Sequence, residues 1–260
     1  MNGIQEPFAD GASLLHRLDP RGKVAVAAVF AATVAVAKAV PAVLAGFLLS
    51  LVGLVLARLP LKQVIGRLLV ANSFILFLWL VLPLTYPGEA EFALGPLSVS
   101  REGLILAGLI TLKSNTLLIA LIALVATIPV VTLGQALHMM RLPNKLCHLL
   151  LFTYRYLHVL EQEFYRLVQA MRIRGFQPRT NLHTYRSCAY LAAMLLVHSY
   201  DRADRVFQAM LCRGFHGIFY SLRTFSWHRR DGVFVVVAVL ALAVVLYLEW
   251  GLPGVTVRLG

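Results

Sequence analysis

A chain of 260 residues has room for one large domain or two small ones, but 59% hydrophobic residues and a mean hydropathy of +0.77 exclude an ordinary soluble protein. A net charge of +12 would point to nucleic acid in a soluble chain. Here the arginines gather between hydrophobic stretches, where retention of positive charge on the cytoplasmic side accounts for them and no nucleic-acid partner is expected. The chain reads as an all-α integral membrane protein embedded in a lipid bilayer.

Met1 to Leu18 are polar and acidic with no basic start ahead of a long apolar core, so no cleavable signal is expected there. Leu18-Asp19-Pro20-Arg21-Gly22-Lys23 then offers Asp as a helix N-cap, Pro at the first helical position and cations where the membrane begins. Five stretches apolar enough to cross a bilayer lie at about 24–40, 42–58, 68–85, 104–128 and 232–250, the first two at the short limit. Pro41 separates that pair, which reads as a tight, tilted hairpin with Lys38 snorkelling to the far interface; one longer helix kinked there is the alternative.

Orientation follows from charge. Arg17, Arg21 and Lys23 precede the first span, and Arg58, Lys62 and Arg67 separate the second from the third, so both regions belong on the cytoplasmic side. The 86–103 loop, with Glu89, Glu91 and Glu102 against Arg101, then faces outside, and its Gly95-Pro96 between Phe92-Ala-Leu and Leu97-Ser-Val predicts a short hairpin. Residues 129–231 hold fourteen of the 24 Lys and Arg but five of the 12 acids, the composition of a cytoplasmic domain. Three regions result: 1–128 with four spans and a cytoplasmic amino terminus, 129–231 in the cytoplasm, and 232–260 as a final span with an external tail.

Breakers at Pro129, Pro143 and Gly175-Phe-Gln-Pro178 divide the cytoplasmic region into a short helix near 131–141 and long ones near 144–174 and 182–213. Runs such as Leu149-Leu-Leu-Phe152 and Tyr190-Leu-Ala-Ala-Met-Leu-Leu-Val197, set against Arg155, Glu161, Arg166, Asp201 and Arg205, make these helices amphipathic. They are built to lie against the membrane or a neighbouring membrane protein. The Asp201 to Arg205 spacing permits a helical ion pair, although simple solvation of that face explains it better.

The most specific feature is an internal repeat. Val168-Gln-Ala-Met-Arg-Ile-Arg-Gly-Phe176 returns thirty-nine residues later as Phe207-Gln-Ala-Met-Leu-Cys-Arg-Gly-Phe215, with Gln, Ala, Met, Arg, Gly and Phe in register. Each copy closes a helical run with Arg and then Gly, the residue that most easily takes the left-handed conformation ending a helix. A duplicated cationic helix end suits gripping two identical partners, or the two halves of a symmetric dimer. Taken singly, each Arg is equally explained by the macrodipole and the free carbonyls of its own helix end.

Absences bound the chemistry. No GxxxxGK[ST] run is present, so ATP hydrolysis cannot come from this chain alone. None of the spans carries an interior Asp or Glu for ion coupling, and Lys113 sits close enough to one end of the fourth to snorkel outward. His138, His148, His158, His183, His198, His216 and His228 are scattered, HExxH is absent, and adjacent Cys147-His148 diverge by about 100 degrees on a helix. No metal site, cofactor or catalytic residue is expected. His198-Ser-Tyr-Asp201 sets a His and an Asp one turn apart without a nucleophile, which fits an interface better than catalysis. Cys147, Cys188 and Cys212, odd in number and without CxxC spacing, are expected to be free thiols.

These residues resemble the CbiQ family, the transmembrane coupling (T) component of energy-coupling factor (ECF) cobalt transporters. The likeness runs from Leu18-Asp19-Pro20-Arg21-Gly22-Lys23 through Leu142-Pro143, Tyr154-Arg155-Tyr156-Leu157 and Glu161 to the two Arg-Gly ends. The usual family signature is Ala-Arg-Gly; here it reads Ile173-Arg174-Gly175 and Cys212-Arg213-Gly214. The resemblance implies a non-enzymatic, multi-pass subunit of a bacterial inner membrane that works as a lever. Those six residues would end two coupling helices that insert into grooves of two cytoplasmic ABC ATPase subunits. ATP-driven closure would thereby reach a separate metal-binding membrane subunit, with a small accessory membrane subunit beside it, for uptake of cobalt destined for cobalamin. A nickel or vitamin transporter is the nearer alternative, and a membrane enzyme acting on lipid the more distant one.

Overall fold

Helix α1, Pro20–Val36, opens on the Asp19 side chain, whose Oδ1 accepts the Arg21 N–H at 2.9 Å, and Pro20 occupies a position whose N–H would have no partner within the helix. The structure is a computed structural model, and it describes residues 8, 11, 13–85, 90–94, 97–140, 142–216 and 228–251. The expected external tail beyond 251, the turn at Gly95-Pro96 and most of the amino-terminal polar stretch lie outside the described residues. Pro41, near the start of α2 (Val40–Ala57), cannot continue α1, and residues 37–39 divide the pair into two helices rather than one kinked helix.

Two side chains from other helices secure that break. Lys113 donates from Nζ to the Ala35 carbonyl at 3.2 Å at the end of α1, while Glu249 accepts the N–H groups of Lys38 and Ala39 at 2.7 and 3.0 Å at the start of α2. Each charge stands at the helix end that its sign suits.

Helix α3 spans Leu61–Thr85, two short strands β1 (Ala90–Leu94) and β2 (Leu97–Ser100) pair antiparallel, and α4 spans Arg101–Leu124. The hairpin expected in the 86–103 loop is therefore present. Helix α3 begins earlier than hydropathy predicts, so Lys62 and Arg67 lie in its first two turns and only residues 58–60 separate it from α2. Long cationic side chains are good helix formers whose stems cover apolar surface, and hydropathy counts them as breaks. The Arg67 guanidinium stands 4.3 Å over the Phe8 ring. Helices α2, α3, α4 and α8 (Arg229–Gly251) are long and apolar enough to cross a membrane. Helix α1, where the first of five spans was expected, has 17 residues and rises about 26 Å, short of the roughly 30 Å of a hydrocarbon core.

Residues divide by contact into two units, Glu6–Pro129 with Phe225–Gly260, and Val130–Thr224 with Met1–Gln5. Within the first, α4 packs against α1, α2 and α3, and α8 closes the other side against α1 and α2. Small residues recur in the contact layer among larger ones such as Phe30, Leu54 and Ile119: Ala37, Ala39, Ala42, Ala107, Ala120 and Ala123 are all buried. Apolar bulk gives little drive between helices in lipid, so close approach through small side chains supplies the packing. A Cβ at Gly46 would stand 3.3 Å from Val34 Cγ2 and 3.6 Å from Thr116 Cγ2, which shows how tightly α1, α2 and α4 meet. Helix α3 packs less completely, and polar pairs hold it: Asn72 and Asn115 exchange amide hydrogen bonds at 3.0 and 3.1 Å, and Trp79 donates to Thr111 at 2.8 Å.

Arg229, Arg230 and Asp231, assigned by charge to the cytoplasmic region, form the first turn of α8. Asp231 is 4% exposed and serves two helix starts at once, accepting the Asp19 N–H at 2.8 Å and the His228 N–H at 2.9 Å. The second bond is the reciprocal half of a capping box. Lys23, expected among interfacial cations, is instead 1% exposed and donates to Thr127 Oγ1 at 2.6 Å. Thr127 in turn donates to the Ala123 carbonyl at 3.1 Å, so the cation serves the C-terminal end of α4.

The second unit holds α5 (Val130–Met139), α6 (Asn144–Ile173) and α7 (Leu182–Cys212). Helix α5 packs on α6 with Ala136 and Cys147 buried. Helix α7 starts on Asn181, whose Oδ1 accepts the Thr184 N–H at 2.9 Å.

Candidate functional site

Both copies of the repeat end their helices in the same way. At the end of α6 the Phe176 N–H donates to the Met171 carbonyl at 3.1 Å and the Gly175 N–H to the Arg172 carbonyl at 3.0 Å. At the end of α7 the Phe215 N–H donates to the Met210 carbonyl at 3.1 Å and the Gly214 N–H to the Leu211 carbonyl at 3.0 Å. This pair of bonds is the Schellman motif. Gly175 at φ +80 and Gly214 at φ +76 hold its left-handed position, and no neighbouring atom lies within 4 Å of where a Cβ would stand. Within this chain glycine is thus needed for its backbone conformation; another L-residue costs about 1–2 kcal/mol there.

The motif accounts for half of the repeated positions: Met, Gly and Phe. Met171 and Met210 occupy the third helical position from the end, and Phe176 and Phe215 the second position beyond the cap, where an apolar pair accompanies this geometry. It does not call for arginine. Arg174 and Arg213 are the C-cap residues, with nearly equal backbone angles of φ −79, ψ 12 and φ −93, ψ 14. Among the described residues no side-chain hydrogen bond or ion pair engages either guanidinium, and both residues are exposed. Backbone N–H groups already satisfy the Met171, Arg172, Met210 and Leu211 carbonyls. Ile173 is 88% exposed, and Cys212 is an exposed free thiol.

The helices carrying these ends expose apolar surface that a finished structure would cover. Helix α7 buries none of its residues, and α6 buries only Cys147. Leu149, Phe164, Tyr190, Leu196, Tyr200 and Phe207 all stand open. A cleft of about 380 Å³ lies between the two helices, walled by Phe152, Tyr156, Leu160, Val206 and Met210 with Arg202 at its side. The helices are tied by His198 Nδ1 against Glu163 Oε1 at 2.9 Å, with Arg166 on the other oxygen of Glu163 at 3.5 Å. His198 therefore partners Glu163 on α6 rather than Asp201 one turn away. Asp201 and Arg205 are exposed.

Arg174 lies eleven residues past Glu163 and Arg213 fifteen past His198, or about 16 and 22 Å of helix from the point of contact. Each end is a separate feature, and no hydrogen bond among the described residues joins them. The Glu163–His198 tie had no local signal, since its members are 35 residues apart. The Schellman pattern was readable, because Met and Phe recur at fixed offsets from Gly. His138 and His148 bring their ring centroids within 5.7 Å between α5 and α6, and burial together with the neighbouring His138 lowers the His148 pKa. Among the described residues no three His, Cys, Asp or Glu side chains gather as metal ligands.

Comparison with known proteins adds a family. Residues 11–224 match the CbiQ family, described as "Cobalt transport protein". The chain is also similar to proteins named "Energy-coupling factor transporter transmembrane protein EcfT". That of Heliobacterium modesticaldum is 27% identical over 79% of this chain and 81% of its own length. Those of Brevibacillus brevis and Bacillus subtilis are 27% and 28% identical, each over 92% of this chain and 95% of their own length.

Proposed function

The chain belongs to the CbiQ family of cobalt transport proteins, the transmembrane component of energy-coupling factor transporters, and on that premise we propose that it transmits ATP-driven motion of two partner ATPase subunits to a separate metal-binding membrane subunit. The observation that carries this reading is the pair of matching, exposed Arg-bearing helix ends whose guanidinium groups form no side-chain hydrogen bond or ion pair among the described residues. Each guanidinium offers a planar fork to acidic or carbonyl groups in an ATPase groove, and each glycine lets the backbone approach closely. Two such ends suit two ATPase subunits. The open apolar faces of α6 and α7 offer the substrate subunit its contact, and a small accessory membrane subunit completes the assembly.

In this reading the protein is a non-enzymatic subunit of a bacterial membrane, with its amino terminus and residues 129–231 in the cytoplasm and its carboxy terminus outside, as the cation distribution favours. Cobalt for cobalamin synthesis is the proposed cargo, supported by the family description. The EcfT relatives carry no metal in their names, which favours, as a second reading, the same coupling role for nickel or a vitamin. Radiocobalt uptake by cells expressing the whole transporter tests both. Cobalt accumulation that unlabelled nickel does not suppress, and that Arg174→Ala with Arg213→Ala abolishes, supports the first. Uptake unaffected by the double substitution removes the coupling role.

A further inference from the structure

At the end of the helix bundle where α1 and α8 begin and α2 finishes, four arginines gather without acidic partners among the described residues. Arg17 and Arg58 line a cleft of about 440 Å³ with Ser13, Leu14, Val55 and Leu56. Arg17 also lines a neighbouring cleft of about 520 Å³ with Arg229 and Arg230. Asp231 borders that second cleft, but its two oxygens already accept the Asp19 and His228 N–H groups. Among the described residues no carboxylate forms an ion pair with Arg17, Arg58, Arg229 or Arg230.

Arg58 is held in an unusual way. It ends α2 in the left-handed region, at φ 49, the one non-glycine residue with positive φ among those described. Glycine or asparagine fills such a position at less cost, so the side chain has a use there that offsets the strain.

The Arg17–Arg58 cleft borders an apolar furrow of the bundle at Leu56, which forms part of the wall of both. The furrow, of about 180 Å³, is walled by Phe30, Val52, Gly53, Phe234 and Val237 of α1, α2 and α8. A cationic cleft thus adjoins an apolar slot between α1, α2 and α8. A soluble anion matches the cleft alone, and a neutral acyl chain the slot alone.

We propose that this end of the bundle binds an anionic phospholipid, with its phosphate between Arg17 and Arg58 and one acyl chain along the furrow past Gly53. Basic pockets between transmembrane helices recognise anionic headgroups in this manner, each cation contributing to the attraction. The lipid stands between α1, α2 and α8 at the end where the cations of the chain face the headgroups.

The test is native mass spectrometry of the full chain released from detergent, titrated with dioleoylphosphatidylglycerol, dioleoylphosphatidylcholine or inorganic phosphate. Phosphatidylglycerol should bind tightly at one site and survive millimolar phosphate, while phosphatidylcholine binds at least tenfold more weakly. Arg17→Gln or Arg58→Gly should each weaken phosphatidylglycerol about fivefold, and the pair about thirtyfold. Arg58→Gly suits the backbone at φ 49, so its thermal midpoint should equal or exceed that of the parent, which separates lost binding from lost folding. Gly53→Leu, where a Cβ meets only Ala123 Cβ at 3.9 Å, should obstruct the furrow and weaken the lipid with both arginines in place. Equal binding of the two lipids, displacement by phosphate, or an undiminished affinity in Arg58→Gly would each overturn the proposal.

Discussion

Replacing Asp231 by alanine should loosen the joint between the first and last membrane helices. The carboxylate is 4% exposed and accepts two backbone N–H groups, that of Asp19 at 2.8 Å and that of His228 at 2.9 Å. Bonds to a charged acceptor contribute about 1.5–3 kcal/mol each, and the N–H groups left behind are costly where water cannot reach them. His228 is exposed and can be rehydrated, so the Asp19 bond dominates and the total loss should be about 3 kcal/mol. For a chain of this size that lowers the thermal midpoint by about 6–12 °C. Asp231→Asn keeps one acceptor but turns an N–H₂ group toward the other amide, so it should recover less than half. Thermal unfolding in detergent, followed by the accessibility of an engineered cysteine on α8, measures both variants. A midpoint within about 2 °C of the parent for Asp231→Ala would refute the argument that this carboxylate fixes α1 to α8.

Two further expectations concern the helix ends and the topology. Gly175→Ala and Gly214→Ala should each cost about 1 kcal/mol, because alanine disfavours φ +80 and +76, and hydrogen exchange should quicken at Phe176 and Phe215, whose N–H groups close the motif. Unchanged protection there would show that the glycines are not needed for helix termination. Single cysteines placed near Glu91 should label from outside and those near Arg179 only from the cytoplasm, in a background without Cys147, Cys188 and Cys212. The opposite pattern would invert the orientation and put the two arginines out of reach of cytoplasmic ATPases.

Local features of this chain were legible where their physics is local. Asp19-Pro20 starts α1 and the Arg-Gly repeat marks the ends of α6 and α7, both through contacts within a few residues, while Pro41 marked the boundary of α2 but left a single kinked helix open. Long-range polar contacts were not legible. Asp231 reaches back 212 residues to Asp19, and Glu249 reaches back 211 to Lys38; no spacing rule encodes such pairs. Counting cations near membrane ends treats each as solvated, which misplaced Lys23 at the interface, although it is buried in the bundle, and Lys62 and Arg67 outside α3. The repeat itself was legible as a device before its geometry was known. The structure divides it into a part that ends a helix, Met, Gly and Phe, and a part that helix ending leaves over, Gln and Ala within the helix and the arginine at its exposed end.

That arginine is the centre of the account, and copurification tests it directly. The full chain with Arg174→Ala and Arg213→Ala, expressed with its ATPase and membrane partners, should insert in the membrane at parental levels and fail to retain the ATPase subunits through affinity purification. Arg→Lys at both positions should retain a fraction, because an ammonium keeps the charge and loses the fork. Parental amounts of ATPase held by the double alanine variant, with unchanged ATP-dependent transport, would contradict the assignment of these two helix ends as the docking sites.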